Sequence, residues 1–332
     1  MIAPITPAPS LERAEMLSNL NLTHLSNFIQ IVEWRSISKA AAFLHIAQPA
    51  LSRQVRLLED AFGAKLLRRH AWGVEPTEDG ELILEHARRI QREWIAAREG
   101  VQMNKENPTG SVFLGVPSAY AVTLVPPLLQ RMRAAYPNLS VRVIEAFSGT
   151  IYEWLIAGRL DMAVLYHSKE YDAAQTTPFI EEELTVLGSV ASLAGKTEMH
   201  LSELSDRQLI APWRPHMLRL TLETAFISCD LTFEPSIEID SLPVMKELAH
   251  RGAGYAVLPP SSVERELKTG RLARVGLSPD IRLSTVLGKL PGRQPTRAVR
   301  LVSDELKKLA TELAPQTGWD ASKIKMTGGR AG

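Results

Sequence analysis

Apolar residues near the N-terminus recur with helical spacing and fall into three short segments. In the first segment they lie three and four positions apart, at Leu22, Leu25, Phe28, Ile29 and Val32. This spacing predicts a helix with one apolar face. Ser36 or Ser38 is placed to cap a second, alanine-rich helix, because serine favours that position. Gln48-Pro49 begins a third helix, because proline is tolerated in the first turn of a helix. Gly63 ends this helix, because glycine is favoured just beyond the last turn.

A hairpin and a long helix are predicted next. The stretch KLLRRHAWGVEPT has strand-like pieces around a Trp72-Gly73 turn, which is typical of a β-wing. From Thr77 a long helix begins, in which apolar residues are spaced alternately by four and three. Such a heptad seam predicts pairing with a second chain, although the same stripe can instead pack on its own domain. The stripe consists of Ile83, Ala87, Ile90, Trp94, Ala97 and Val101.

After Gly110 the pattern changes to strands that alternate with helices. Residues 111–117, 140–147 and 160–166 have the apolar character of strands, and the stretches between them have that of helices. This βαβαβ order implies a parallel sheet with right-handed crossovers. A second α/β series follows, so we expect two lobes with a cleft between them.

The whole chain carries little net charge, but its N-terminal part is basic. The 332 residues have a net charge of +1, and 45% of them are hydrophobic, a composition that suits more than one globular domain. Cys229 is the single cysteine, which excludes an intrachain disulfide and a cysteine zinc cluster and suits a reducing cytosol. Between positions 35 and 70, seven basic residues and two acidic ones give a local excess of +5. Such a local excess provides the phosphate contacts that nucleic-acid binding needs.

The third predicted helix has one apolar and one polar face. Leu51, Val55 and Leu58 form the apolar face, which we expect to pack on the second helix. The polar side chains in its N-terminal turns are Gln48, Ser52, Arg53 and Arg56. Glutamine and arginine bind adenine and guanine through two hydrogen bonds, and a recognition helix presents these turns to base edges. The alternative is a solvated face in a small helical bundle, which the Gln-Pro turn and the basic wing disfavour.

Several stretches of the chain resemble LysR-type transcriptional regulators. The pattern S-x-AA-x-x-L-x-x-x-QPALSRQVR-x-LE-x-x-FG-x-x-LLRR closely resembles the winged helix-turn-helix of that family. The stretches LVPPLLQRMRAAYPNLSVRVIEAFSGT and LIAGRLDMAVLY are similar to its effector-binding domain. The resemblance covers roughly residues 20–313. Within the family, LIAPWRPHMLR with DSLPVMKELAHRGAGYAVLPP is most similar to the branch of nitrogen-assimilation control regulators.

The resemblance implies an α/β protein with an N-terminal winged helix-turn-helix, all-α with a β-wing. A long linker helix and a two-lobed α/β domain like those of periplasmic binding proteins follow. The expected division is a flexible tail (1–19), a DNA-binding domain (20–79), a dimerisation helix (80–108), an effector-binding domain (109–313) and a second flexible tail (314–332).

The resemblance also implies partners. A homodimer or homotetramer in the cytoplasm is expected to bind interrupted palindromic sites in double-stranded promoter DNA, and RNA polymerase is a further candidate partner. No contact with a membrane is expected, because no apolar run has the length of a membrane span. The residues expected at the DNA are Ser38, Lys39, Gln48, Pro49, Ala50, Ser52, Arg53, Arg56, Arg68 and Arg69.

Three segments are expected to meet at the cleft between the lobes. Each stands where a strand ends and a helix begins, and helix N-termini offer N–H groups to anions. In the family, the matching segments face a small-molecule inducer, so we expect an anionic effector here. The alternative is that the serine and threonine side chains only cap helices and that Arg214 is solvated. The expected cleft residues are Ser118, Ala119, Ser148, Thr150, Tyr166, Arg214 and His216.

The sequence does not indicate an enzyme. It contains no Walker loop and no HExxH, GxSxG or GxGxxG motif, and its histidines lack the spacing of metal ligands. No cofactor and no metal is expected, and the triplet Glu181–Glu183 is interpreted as an exposed charge run. Two other functions remain open: a solute-binding module without a role at DNA, and a regulator without a small-molecule effector.

Overall fold

The computed structural model describes residues 20–101, 108–169, 171, 173–290 and 294–324. The chain divides into two compact units, one ending at Met103 and the other beginning at Asn104. The N-terminal tail and the last part of the C-terminal tail that the sequence predicts lie outside the described residues. No helix in the described part of the chain is both long and apolar enough to cross a membrane.

The N-terminal unit contains three short helices, a hairpin and one long helix. These elements are α1 (Leu22–Trp34), α2 (Ile37–Leu44), α3 (Gln48–Phe62), β1 (Leu67–His70), β2 (Gly73–Pro76) and α4 (Glu78–Val101). The two strands pair antiparallel, with Leu67 opposite Pro76 and His70 opposite Gly73. Helices and hairpin lie where the spacing of apolar residues predicts them.

Polar caps and one glycine define the ends of these helices. The side chain of Asn21 caps α1, and the Ser36 hydroxyl caps α2 by accepting a hydrogen bond from the N–H of Lys39 at 3.3 Å. Ser36 rather than Ser38 is therefore the cap. Gly63 ends α3 with a φ of 67°, a left-handed conformation that glycine adopts at little cost.

One buried carboxylate and one glycine hold the wing against the helices. Glu59 in α3 is 8% exposed and accepts a hydrogen bond from the N–H of Leu66 at 3.1 Å. A Cβ atom on Gly73 would lie 2.4 Å from the carbonyl oxygen of Arg35, and the N–H of Val74 donates to that same oxygen at 2.9 Å. The hairpin thus contacts the end of α1 through backbone atoms, and a larger residue at position 73 would displace it.

The long helix α4 contributes in part to the core of its own unit. Its early turns pack on α1, where Leu84 and Ala87 are each 1% exposed and Ile83 is partly buried. Ile83 and Ala87, predicted in a seam between chains, therefore face their own domain, which is the alternative that the heptad pattern leaves open. The helix begins as expected, because the Thr77 hydroxyl accepts a hydrogen bond from the N–H of Gly80 at 2.9 Å.

The C-terminal unit consists of two lobes, each built on a mixed sheet. Its elements are β3 (Gly110–Val116), α5 (Ser118–Ala135), β4 (Leu139–Glu145), α6 (Ser148–Ile156), β5 (Met162–Tyr166), β6 (Gln175–Glu183), β7 (Thr185–Gly188), β8 (Glu198–His200), α7 (Leu201–Ser205), β9 (Leu209–Ala211), α8 (Met217–Ser228), β10 (Ile237–Glu238), α9 (Leu242–His250), β11 (Tyr255–Leu258), α10 (Glu264–Lys268), β12 (Ala273–Ser278), β13 (Arg282–Lys289) and α11 (Arg297–Thr317). A short 3-10 turn, Pro260–Ser262, follows β11.

In the first lobe the strand order is β4-β3-β5-β13-β6. β3 pairs parallel with β4 and with β5, as the βαβαβ pattern predicts. β13 runs antiparallel to β5 and β6, so the sheet as a whole is mixed. α11 packs on α5 at one face of this sheet.

In the second lobe the strand order is β10-β9-β11-β7-β12-β8. The chain enters this lobe after β6 and leaves it before β13, and we call residues 183–185 and 279–282 the hinge. The N–H of Leu184 donates to the carbonyl of Ile281 at 2.8 Å, which joins the two crossing segments. Strand β9 pairs parallel with β10 and β11, and β7 is antiparallel to β11 and β12.

Two regions differ from the predictions. The triplet Glu181–Glu183 belongs to β6, and its central residue Glu182 is 3% exposed, because side chains alternate between the two faces of a strand. Residues 314–324 are part of the first lobe: Trp319 is 5% exposed, and Asp320 forms an antiparallel bridge with Glu181. The prediction of a tail from residue 314 is therefore wrong as far as residue 324, since the tryptophan side chain has a buried site.

Candidate DNA interface and effector cleft

The N-terminal half of α3 has an exposed polar face on a rigid support. Leu51, Val55 and Leu58 point into the unit and are at most 3% exposed. Their burial fixes the rotation of the helix, so that its amide and guanidinium groups project outward. The exposed residues of this face are Gln48, Pro49, Ala50, Arg53 and Arg56.

Ser52 departs from the prediction because it is only 8% exposed. In a helix, residues three and four apart share a side, and Ser52 is aligned with Val55 and Glu59, which are also buried. Its side chain thus lies at the edge of the apolar face and not on the exposed one.

Exposed polar and basic side chains also lie on other elements of the N-terminal unit. Ser38 and Lys39 in α2, and Arg68 and Arg69 in β1, are exposed as predicted. Among the described residues, no acidic side chain forms an ion pair with Arg53, Arg68 or Arg69. Unpaired guanidinium groups can bind phosphates without first breaking an internal contact.

The tip of the wing carries an exposed aromatic residue. Trp72 is 81% exposed, and its ring stacks on that of His70 with the ring centres 5.3 Å apart. This pair presents a flat apolar surface beside the wing arginines.

The later turns of α4 present apolar side chains to the surface. Ile90 is 44% exposed and Trp94 is 60% exposed. Together with Leu22 and Ala97, they line an open concavity of about 510 Å³. Exposed apolar side chains grouped in this way are typical of a protein interaction surface. Val101 ends the helix, and its side chain lies outside the described residues.

A cavity of about 190 Å³ lies between the two lobes of the C-terminal unit. Its first-lobe wall consists of the ends of β3, β4 and β5 and the starts of α5 and α6. Its second-lobe wall consists of His216, residues 239–243 and the end of β11. Ligands commonly bind where strand ends and helix N-termini meet in this way.

Most of the residues expected at the cleft line this cavity. They are Ser118, Ala119, Ser148, Tyr166 and His216. The Ser148 hydroxyl accepts a hydrogen bond from the N–H of Tyr166 at 2.9 Å, which joins the start of α6 to the end of β5. Neither Ser118 nor Ser148 caps its helix, since the N-cap positions are Pro117 and Phe147.

Thr150 and Arg214 do not line the cavity. Thr150 follows Ser148 by two residues, and two steps of about 100° turn it to another side of α6. Arg214 is exposed, and its Nη2 atom lies 2.7 Å from Oε2 of Glu223, which also pairs with Arg219. In this structure a carboxylate of the same lobe binds the guanidinium group that was expected at the ligand.

His216 lies at the junction of the two lobes as a neutral side chain. Its Nδ1 atom accepts a hydrogen bond from the N–H of Leu218 at 3.1 Å and so caps α8. Its ring meets that of Phe147 edge to face, with the centres 5.1 Å apart. Burial lowers the pKa of His216 to about 4, so the ring is uncharged at neutral pH and its Nε2–H remains a donor. The ionisable carboxylates along the cavity are Glu145 and Asp240.

Sequence reasoning missed a buried carboxylate close to the hinge. Glu182 accepts a hydrogen bond from the Ser261 hydroxyl at 2.9 Å and from Nε1 of Trp319 at 3.2 Å. Ser261 follows a strand of the second lobe and Trp319 belongs to the first, so the carboxylate links them. Burial raises the pKa of Glu182 to about 7, against the opposing effect of these donors and of Tyr120. The apolar neighbours on both sides of the glutamate triplet are the signal that could have revealed it.

No group of three or more histidine, cysteine, aspartate or glutamate side chains in the described part of the chain has a metal-binding arrangement.

Two family models match the chain, one for each unit. The model of bacterial regulatory helix-turn-helix proteins of the lysR family matches residues 22–81. The model of the LysR substrate binding domain matches residues 105–311, which is more than half of the chain.

Two curated relatives extend this match over most of the protein. The nitrogen assimilation regulatory protein nac of Klebsiella aerogenes is 34% identical over 272 residues, covering 81% of this chain and 88% of the relative. The protein of the same name from Escherichia coli K12 is 33% identical over 278 residues, covering 82% of this chain and 90% of the relative.

Solved structures share the fold. A full-length OxyR variant from Pseudomonas aeruginosa superposes with a TM-score of 0.73 at 22% identity, covering 87% of this chain and 95% of that one. Full-length CbnR, in complex with its target DNA, gives a TM-score of 0.64 at 18% identity, covering 88% and 99%. With both units matched by family models and most of the chain matched by curated regulators, this protein belongs to the LysR family of DNA-binding transcriptional regulators, in the branch of the nitrogen assimilation regulatory proteins.

Proposed function

We propose that this regulator reads promoter DNA with the exposed face of α3, pairs with a second copy through α4, and changes its DNA-bound assembly when a small molecule enters the cleft. The observation that carries the proposal is the exposed face of α3, which has unpaired guanidinium groups on a helix fixed by its buried side. A solute-binding module without a role at DNA has no support from the family matches, since one of them covers residues 22–81.

In this proposal, α3 lies in the major groove. Gln48, Arg53 and Arg56 contact base edges, because amide and guanidinium groups match the donors and acceptors of adenine and guanine. Lys39 and the wing arginines contact phosphates, which fix the position of the helix along the groove but carry no sequence information. Ser52 has no base contact in this arrangement, because its side chain is buried.

A second copy of the chain covers Ile90 and Trp94 in α4. Burying these exposed apolar side chains between two identical helices stabilises a dimer with two-fold symmetry. The two copies of α3 then read two half-sites about one helical turn of DNA, or a multiple of it, apart. A homotetramer, formed by two such dimers, extends the same arrangement to a longer promoter site.

The cleft is the effector site in this proposal. A ligand held by both lobes favours the closed arrangement over the open one, and only this difference in affinity can shift the equilibrium of the DNA-bound assembly. The substrate-binding match over residues 105–311 and the lined cavity between the lobes support an effector over a regulator without one.

A gel-shift series tests the DNA-reading part. We expect Arg53→Ala to weaken binding to a specific site by about 1–3 kcal/mol and to relax the preference at one position per half-site. Arg251→Ala is the matched control, because Arg251 is an exposed arginine of the C-terminal unit that pairs with Glu247. Equal affinity and equal sequence preference for parent and Arg53→Ala would remove Arg53 from the recognition role.

A further inference from the structure

The cleft has a charge arrangement that does not fit a simple anion. The acidic side chains along its wall are Glu145 from the first lobe and Asp240 from the second, and the described lining includes no lysine and no arginine. Arg214 pairs with Glu223, and His216 is neutral at pH 7 because it is buried. A ligand with only negative charge would face two carboxylates and no cationic side chain.

The N-termini of two helices, and not cationic side chains, provide the positive potential at the cleft. α5 begins at Ser118 and α6 at Ser148, and neither helix has a side-chain hydrogen bond at its N-cap. The first N–H groups of a helix lack partners inside it and carry the positive end of its dipole. Both helices start on the first-lobe wall of the cavity, so they offer donors for one carboxylate.

The opposite wall carries an acceptor without a donor. The Oδ1 atom of Asp240 is buried and has no hydrogen-bond partner among the described residues. Burial raises the pKa of Asp240, although the backbone N–H of Trp213 opposes the shift. Asp240 is partly buried and lines the cavity, so the ammonium group of a ligand there would pair with its carboxylate.

The remaining lining limits the size and polarity of the ligand. The cavity of about 190 Å³ is smaller than the roughly 300–1,000 Å³ typical of sites for drug-sized molecules. Apolar side chains make up much of the remaining lining, including Phe147, Leu218, Ile239 and Met245. A small molecule with an apolar side chain therefore suits the site.

We propose that the cleft binds a zwitterionic ligand of the amino-acid class with an apolar side chain. Its carboxylate lies at the starts of α5 and α6, and its ammonium group lies at Asp240. This proposal rests on the proposed effector role of the cleft and specifies its ligand. Because the two charged ends are bound by different lobes, the zwitterion favours the closed arrangement.

Three matched probes separate the two charges. L-leucine carries both of them, 4-methylpentanoate lacks the ammonium group, and 3-methylbutylamine lacks the carboxylate. Each is titrated calorimetrically into the full-length protein, alongside L-methionine and L-phenylalanine. We expect at least one amino acid to bind, and its analogue without the ammonium group to bind about tenfold more weakly or worse, as for the loss of a hydrogen bond to a charged group.

Substitutions then locate the ammonium site. Asp240→Asn keeps the shape and removes a buried charge, so the free protein should remain folded while amino-acid affinity falls about tenfold or more. Asp206→Asn is the control, because Asp206 is exposed and outside the cavity. Unchanged amino-acid affinity in Asp240→Asn would overturn the proposed orientation.

The outcomes also distinguish the ligand class from the proposed function. If 4-methylpentanoate binds as well as L-leucine and alters the gel shift, the cleft is an effector site but the zwitterion is the wrong class. If neither the amino acids nor the analogues bind while the protein still retains specific DNA, the ligand class is wrong and the DNA-reading function stands.

Discussion

Replacing Glu182 by glutamine is expected to change how the stability of the two-lobed unit depends on pH. In the folded protein this carboxyl keeps its proton up to about pH 7, whereas its ordinary pKa is 4.5. Between these two values the folded state binds more protons than the unfolded state, so the free energy of unfolding falls as pH rises. The contribution of Glu182 is fully present below about pH 4.5 and is lost at pH values above about 7.

The size of this effect follows from the pKa difference. One pKa unit corresponds to about 1.4 kcal/mol, so the rise from 4.5 to about 7 amounts to roughly 3 kcal/mol. The side chain is 3% exposed, so solvent screening reduces this value little. Glutamine cannot ionise, but its carbonyl oxygen can accept from Nε1 of Trp319 while its amide group donates to the Ser261 hydroxyl, so the effect of the substitution itself does not change with pH.

Urea unfolding of the full-length protein between pH 4.5 and pH 8 measures the difference between parent and variant. We expect the free energy of unfolding of Glu182→Gln, relative to that of the parent, to rise by roughly 3 kcal/mol between pH 4.5 and pH 8, because only the parent loses the contribution of a protonated carboxyl. Glu183→Gln is the matched control, since this neighbour is half exposed and pairs with Arg282 at the surface. A parent-to-variant difference that stays constant within about 0.5 kcal/mol across this range would refute the reasoning, because it would show that Glu182 titrates normally.

Three further predictions concern assembly, DNA affinity and the core. Ile90→Asp should give monomers in light scattering, because it places a charge in the proposed dimer contact. Leu82→Asp, at another exposed apolar position of α4, should keep the parent assembly. Monomers from Leu82→Asp together with the parent assembly from Ile90→Asp would refute this contact. Replacing both Arg68 and Arg69 by alanine should reduce the slope of log affinity against log salt concentration by roughly 2, with affinity measured by gel shift. An unchanged slope would show that neither arginine contacts a phosphate. Phe226→Ala should lower the free energy of unfolding by about 3–5 kcal/mol because Phe226 is fully buried, and a loss under about 1 kcal/mol in urea would contradict that role.

Local signals accounted for most of the N-terminal unit. Helical spacing located α1 to α3, and the residues that end or cap these helices are short-range determinants that sequence displays directly. The heptad pattern of α4 was less decisive, because Ile83 and Ala87 pack on α1 while Ile90 and Trp94 remain exposed. Sequence spacing identifies one face of a helix but not which partner covers each turn.

The cleft was only partly predictable for a different reason. Its strand ends follow from the βαβ order, which placed Ser118, Ser148 and Tyr166 at one site. The pairing of Arg214 with Glu223 and the orphan oxygen of Asp240 depend on contacts between elements, and no local pattern encodes them. The burial of Glu182 also depends on tertiary structure, because a glutamate triplet has the composition of a solvated surface.

The reading of DNA by two copies of α3 can be tested by hydroxyl-radical footprinting of the fragment that the full-length protein retains most tightly from genomic DNA. We expect two protected half-sites related by two-fold symmetry, about one helical turn or a multiple of it apart. Weak, even protection along the fragment without such symmetry would contradict it, because two copies of α3 reading paired half-sites cannot produce that pattern.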